Sequence, residues 1–424
     1  MKKYLLLFFC FSFSLLAKEQ SLEEMLEKIS KNSYEEERYQ LQQENLSIKQ
    51  EHIKQRDFQD GVLASVEYYE NHRKGERNAY TKKGSLQWGP FFASTYDAIE
   101  KNGDYTSVGV EKNIKDLFYS KYDSQAEQTA WQEKVQFWSY QGNRQKKMIS
   151  LVQLYRDYKN TLYELEVKHQ ESKRLKKEEE KLELSYRLGN AKRVDWQAAS
   201  LGLQNLELEL AALKKRKKAH QERFLREFRI SMEEDSVEEI PLLKINIEDF
   251  MEDYGRAELE EQKAKLKMQE EAWKYSVYEE KIPDIFLRYE HISKNQKHQA
   301  EDVISMKLSK KLFSDQYASK IEENEWKEQK LLLQQREEEL RAERILGRAN
   351  YDNYLSQYQM AQNHFQLENS KYEIKKLEYE LGKVDYIEVM EAFDKYLESK
   401  ISLEKARNTL AAYLYEWKIR KVQA

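Results

Sequence analysis

Three prolines and twelve glycines in 424 residues leave little material for turns. Ordinary usage is near ~5% and ~7%. A Rossmann fold, a barrel enzyme or a β-sandwich needs many turns, so this composition argues against all three. Cysteine is nearly absent. Cys10 is the only one, which excludes a disulfide framework. Charge of one sign is lacking too: 72 basic and 76 acidic residues leave −4, so there is no global basic field for nucleic acid. The one long basic run, Lys214 to Lys218, continues a helical pattern and reads as a solvated face. After the first residues, no stretch approaches the ~18 consecutive apolar residues of a membrane helix. A transmembrane β-barrel would leave no such mark.

What is present is a charge-rich, aromatic chain. Charged residues make up 35%, and 29 Tyr, 16 Phe and 7 Trp are too many for a disordered polymer. A chain rich in Glu, Lys and Leu with few breakers points to long helices. At the start, Lys2 and Lys3 precede the apolar stretch Leu5 to Leu16, with Ala17 as a small residue for cleavage. This pattern predicts a signal peptide over residues 1–17 and export. Cys10 lies within it, so the mature chain is expected to carry no thiol.

The breakers cluster. Gly61, Gly75, Gly84, Gly89, Gly103, Gly109 and Pro90 lie close together, and residues 91–240 and 284–424 contain no proline. From about 119 to 188 the chain reads as one helix, with Leu151, Tyr155, Tyr158, Leu162 and Leu165 at spacings of 4, 3, 4 and 3. Seventy helical residues measure roughly 105 Å. Residues 315–382 form a similar stretch. Val389, Tyr396, Leu403, Leu410 and Trp417 recur at strict sevens, so the last helix is expected to pack along a partner.

Between the helices the period changes to two. Val62, Ala64, Val66 and Tyr68 alternate with the residues between them, as do Thr106, Val108 and Val110; Ile285, Leu287 and Tyr289; and Ile304, Met306 and Leu308. Such alternation predicts strands with one apolar face. That face suits either a globular sheet or a lipid-facing barrel wall.

The sequence contains one plan twice: helix, strands, long helix, sharp turn, helix. Tyr186-Arg-Leu-Gly189-Asn-Ala-Lys-Arg-Val194-Asp195 aligns without gaps on Tyr379-Glu-Leu-Gly382-Lys-Val-Asp-Tyr-Ile387-Glu388, at an offset of 193. Leu117–Phe118 and Leu312–Phe313 repeat at 195. Internal repeats decide the fold reading. Gly189 and Gly382 are placed where a glycine closes a helix. Each half thus ends in a helical hairpin, with the strand regions expected ~100 Å away by helix rise. The predicted segments are a signal peptide at 1–17; a first repeat at 18–230, with strand region 59–118 and hairpin 119–230; a linker at 231–250; and a second repeat at 251–424, with strand region 283–314 and hairpin 315–424.

These residues resemble the TolC family of outer-membrane efflux channels. The shared pattern is Tyr-x-x-Gly followed by an acidic residue six after the glycine, present as Tyr186, Gly189, Asp195 and as Tyr379, Gly382, Glu388. The resemblance spans essentially the whole mature chain. It implies a mainly α fold with a small β part and a homotrimer. Helices would form a long periplasmic α-barrel joined to a shared transmembrane β-barrel, with four strands from each protomer. An equatorial domain would form from the chain ends and the linker.

By the same resemblance the hairpin tips form a gated aperture, with Asp195, Tyr379, Glu388 and Glu391 as the candidate residues. Glu388 and Glu391 are three apart and share a helix face; symmetry would stack them into acidic rings that favour cations. Tyr379 to Asp195 is the candidate closing hydrogen bond. The family's latching arginine corresponds to Val384 here, so the latch differs, with Arg193 and Lys192 as the nearby replacements. The acidic cluster also fits a solvated helix end. The tips at Gly189 and Gly382 are where a periplasmic adaptor would touch, linking the duct to an inner-membrane pump, and outer-membrane lipid would surround the barrel.

The strand region of the first half is longer than that of the second. Its extra piece, about 76–100, is either an extracellular excursion or an added hairpin. The excursion is preferred, since long outer loops are normal in such barrels. An exported coiled-coil structural or adhesin-like protein is the alternative function. An enzyme is not expected. The histidines at 52, 72, 169, 220, 291, 298 and 364 show no metal-ligand spacing, and no Gly-x-Ser-x-Gly or P-loop occurs. No cofactor or metal is called for.

Overall fold

The computed structural model describes residues 21–31, 34–55, 58, 61–71, 79–98, 105–232, 237–244, 256–293, 299–310 and 317–421. The expected signal peptide with Cys10, the Leu312–Phe313 pair and parts of the 231–250 linker lie outside the described residues. Helices α1 (Leu22–Lys31) and α2 (Tyr34–Lys54) lead into β1 (Val62–Asn71), β2 (Ala79–Trp88), β3 (Phe91–Ala98) and β4 (Tyr105–Asn113). The short helix α3 (Lys115–Phe118) precedes α4 (Lys121–Arg187) and α5 (Arg193–Phe228). The second half contains α6 (Arg256–Lys281), β5 (Asp284–Ile292), β6 (Glu301–Ser309), α7 (Tyr317–Glu380) and α8 (Tyr386–Arg420).

The long helices α4 and α7 have 67 and 64 residues. A capping box starts α4: Ser120 and Asp123 each accept a hydrogen bond from the other's backbone N–H, at 2.9 and 3.1 Å.

The chain divides into two compact units, 1–36 with 142–256 and 340–424, and 37–141 with 257–339. In the first unit, Leu151, Val152, Leu154, Tyr155 and Tyr158 of α4 form the centre of the core. Around them pack Leu22, Met25 and Ile29 of α1, Phe224 and Phe228 of α5, Val237 and Ile240 of the following segment, and Ala411, Ala412 and Tyr415 of α8. Tyr155 satisfies its buried hydroxyl by donating to the Glu238 carbonyl at 2.8 Å. Lys159 donates to the Val237 carbonyl at 2.8 Å, so the segment is fixed by backbone acceptors as well as by apolar burial. The seven-residue stripe on α8 points inward: Val389, Leu410 and Trp417 are buried. Trp417 lies against Gly347 of α7, where an added Cβ would come within 2.2 Å of the indole. This close approach explains a glycine inside a long helix.

The second unit contains a six-stranded antiparallel sheet in the order β1-β2-β3-β4-β5-β6. This corrects the expectation of four strands and of an excursion at 76–100. Its described part, residues 79–98, forms the hairpin β2–β3 inside the sheet. Leu86, Trp88, Phe91 and Ala93 alternate around Gly89–Pro90. Gly89 has φ +58°, as a two-residue hairpin turn with glycine first requires. Proline, which has no N–H to give, sits in the turn, and its carbonyl accepts from Glu111 at 2.8 Å.

Candidate functional site

The pairing registers sort the sheet into two unlike faces. Val62, Trp88, Phe91, Val110, Tyr289 and Ile304 stand side by side in one hydrogen-bonded row across all six strands. Every second residue along each strand shares their face. That face includes Ala64, Val66, Leu86, Ala93, Val108, Leu287, Ile285, Met306 and Leu308. It is apolar and open: Val66 is 85% exposed, Ile304 76% and Met306 71%. Phe58 packs on Trp88 at 5.1 Å, and Trp88 on Phe91 at 6.4 Å, giving an aromatic margin at one end of the strands. At the other end the same face turns polar, with Glu70, Lys82, Asp97 and Asp302. Tyr289 and His291 both bond Asp302 there, at 2.9 and 2.7 Å.

The opposite face is polar. Ser65, Ser85, Ser94 and Ser107 occupy one row, with hydroxyl contacts of 2.7 Å between Ser65 and Ser85 and 2.8 Å between Ser94 and Ser107. Arg288 lies 4.0 Å over the Phe92 ring and pairs with Glu111 at 3.3 Å and Glu290 at 2.9 Å. Gly109 makes room: a Cβ there would meet the Tyr289 carbonyl at 2.3 Å and Phe92 at 2.5 Å. Thus one face suits hydrocarbon and the other suits water. The strands have 8 to 10 residues, close to the ~9–11 of a tilted membrane strand. Among the described residues no helix is long and apolar enough to cross a membrane.

In the first unit, the two hairpin tips close in the same way. Gly189 and Gly382 have φ +78° and +67°. Asn190 N–H bonds the Ser185 carbonyl and Gly189 N–H that of Tyr186; Lys383 bonds Glu378 and Gly382 bonds Tyr379 in the second copy. This is the paired helix-ending motif that needs the left-handed conformation. Asp195 and Glu388 both lie in the first turn of the helix that follows.

The sequence-predicted cluster is brought together only in part. Tyr379 meets Tyr386 edge-on at 5.8 Å and makes no hydrogen bond to Asp195. Glu388 pairs with Lys375 of α7 at 3.0 Å, so part of its charge is neutralised. Glu391 stays exposed one turn on. At the position beside Val384 the structure places Asp385, and Lys192 reaches it at 3.4 Å.

Below the tips lies a network that the sequence did not reveal. Tyr386, buried, donates to Glu178. Arg174 pairs with Glu178 at 3.3 Å and with Glu171 at 3.0 Å, and stacks 3.5 Å over Phe393. Burial, then the hydrogen bond to Glu178, pushes the Tyr386 hydroxyl far above its ordinary pKa. Burial raises the Glu171 carboxyl against the pull of Arg174. Burial also opposes the Arg174 charge, but its bond to Glu171 and the nearby carboxylates raise its pKa overall. The network joins α4 of the first hairpin to α8 of the second. The first hairpin is also held by Trp196, which donates to Glu179 at 3.0 Å and stacks on Tyr186 at 5.8 Å.

No family model matches the sequence, and no curated protein matches it. Solved structures do match. A membrane protein from Pseudomonas aeruginosa aligns with a TM-score of 0.71 at 12% identity, over 95% of this chain and 93% of that one. The Campylobacter jejuni CmeC outer membrane channel aligns with a TM-score of 0.70 at 13% identity, over 94% and 85%. The outer membrane protein VceC from Vibrio cholerae aligns with a TM-score of 0.67 at 11% identity, over 93% and 95%. The chain shares the fold of these solved structures, mainly helical with a small sheet.

Proposed function

We propose that this chain is a passive outer-membrane exit duct of a tripartite efflux or type I secretion system, extending from the outer membrane into the periplasm. The observation that carries the reading is the two-faced sheet: a continuous, exposed apolar face backed by a face of serines and charge pairs. Strand edges left open in hydrocarbon would be costly, and one protomer leaves two, so copies must close the wall together. Three copies do so, as in the family the chain resembles.

The hairpin tips form the periplasmic gate. Asp195, Glu388 and Glu391 supply its acidic lining, Tyr379 braces the turn, and the Lys192–Asp385 pair takes the place of the family's arginine latch. A periplasmic adaptor docks on the tips at Gly189 and Gly382 and couples the duct to an inner-membrane pump. A coiled-coil scaffold without channel activity would have no use for an apolar sheet face exposed to solvent.

Single-channel conductance in a planar bilayer tests this reading. Wild type should show a small, cation-selective conductance. Glu388→Gln/Glu391→Gln should lose the selectivity, and Tyr379→Ala, which removes the ring packed on Tyr386, should raise the conductance. A folded protein that never conducts, with or without these changes, overturns it.

A further inference from the structure

The apolar face of the sheet does not run level with its hydrogen-bonded rows. Starting from the row of Val62 and Ile304, the apolar residues of β1 climb to Tyr68, whereas those of β6 lie on the opposite side, down to Leu308. The middle of the band thus moves five rows, from Ser65 in β1 to Met306 in β6, an average of one residue for each step between strands, with β2 to β4 level with one another and β5 level with β6. With ~3.3 Å of rise per residue and ~4.8 Å between strands, that slope is about 35°. Membrane barrels tilt their strands by roughly 35–45°. The slant is therefore the tilt at which an apolar band becomes level with a bilayer.

A single copy cannot close at this tilt. Six strands would enclose a radius of about 6 Å, and even eight leave room only for their own side chains. The polar face of this sheet carries Phe92, Tyr96, Tyr105 and Arg288. The terminal strands β1 and β6 run antiparallel to each other, so β6 of one copy and β1 of another can continue the ladder in the same up-and-down order. Extending the slant by one more residue sets Ser65 of one copy opposite Lys307 of the next. Val66 then meets Met306, and Tyr68 meets Ile304, on the apolar face. A slip of one residue would put Val66 opposite Lys307 or Ser305 and mix the two faces.

We propose that copies of this chain join by pairing β1 with β6 in this register, and that the hairpin β2–β3 is part of the lipid-facing wall. This rests on the duct reading above. Six strands from each of three copies make an eighteen-stranded barrel with a backbone radius of about 17 Å, against about 11 Å for twelve strands at the same tilt. The serine row and the Arg288 pairs line a mouth wide enough for bulky hydrated solutes, so selection falls to the tips and not to the barrel.

Cross-linking tests the seam. Ser65→Cys/Lys307→Cys, oxidised in isolated outer membranes, should give covalent multimers that stop at three chains. Ser65→Cys/Ser85→Cys, a neighbouring pair within one sheet, should lose its thiols without gaining mass. The proposal is overturned if the internal pair closes and the seam pair stays at single-chain mass. It is also overturned if Ser65→Cys/Glu301→Cys, six residues out of register, links equally well. A strand count in lipid nanodiscs checks the size: eighteen supports it and twelve defeats it. A conducting protein without the seam link refutes this inference alone, whereas a protein missing from the outer membrane refutes the duct reading with it.

Discussion

Lys192 and Asp385 are the same position in the two repeats, and they pair with each other. Each is the N-cap residue of the helix that returns from its tip. The Lys192 ammonium lies 3.4 Å from both oxygens of the Asp385 carboxylate. Neither side chain caps its own helix. The two hairpin turns thus carry opposite charges at one aligned position, and the pair links the hairpins.

Both groups are exposed, so the pair adds about 0.5 kcal/mol or less to stability. Its effect should appear in gating. Lys192→Glu sets two carboxylates against each other and should raise conductance without moving Tm. The swap Lys192→Glu/Asp385→Lys should return it towards wild type. Equal conductance in all three proteins would remove the pair from the gate.

Tyr386 makes the opposite case, because its hydroxyl is buried against Glu178. Tyr386→Phe removes a bond to a charged group and should cost about 1–3 kcal/mol. Chemical denaturation of the wild type and variant reads this directly. A shift near zero would mean that water replaces the tyrosine.

The sheet faces predict insertion. Met306→Arg puts a charge on the apolar face and should cost roughly 2–4 kcal/mol in a bilayer. Ser305→Arg, one residue away on the polar face, should insert normally. Outer-membrane fractionation of the two variants separates them; similar yields would mean that the faces are assigned wrongly.

His220 packs edge-on against Tyr158 at 6.4 Å, and burial holds its imidazole below the ordinary value, outweighing the pull of Asp157. The neutral form is the one the fold prefers. Its stabilising contribution is complete above the unfolded value near ~6.5 and is lost as pH falls through the lowered folded value. His220→Gln should therefore lose less Tm than wild type between pH 7.5 and pH 5, as measured in thermal melts. An identical loss would show that the histidine titrates as it does in water.

Much of this architecture could be read from residues. The scarcity of glycine and proline indicates the long helices, and alternation at Val62–Tyr68, Thr106–Val110, Ile285–Tyr289 and Ile304–Leu308 marks the four strands that flank helices. The hairpin β2–β3 was harder to read because Lys82, Lys83 and Gly84 break its apolar alternation, although Leu86 and Trp88 before Gly89–Pro90, and Phe91 and Ala93 after it, carry the signal. The polar network around Tyr386 was not legible. Glu171, Arg174 and Glu178 belong to a helix crowded with like residues, and only packing selects which of them leave water. Asp385 could have been found, since the offset of 193 that aligns Gly189 with Gly382 also aligns it with Lys192.

The two unpaired edges of the sheet have a genetic consequence. In the assembly proposed above no chain covers its own edges, so each copy depends on the strands of its neighbours. A chain with a broken β1 or β6 but sound helices would still join its partners and leave the whole wall open. Such an allele would act dominantly, harming cells that also make the normal protein, whereas an allele that makes no protein would be masked.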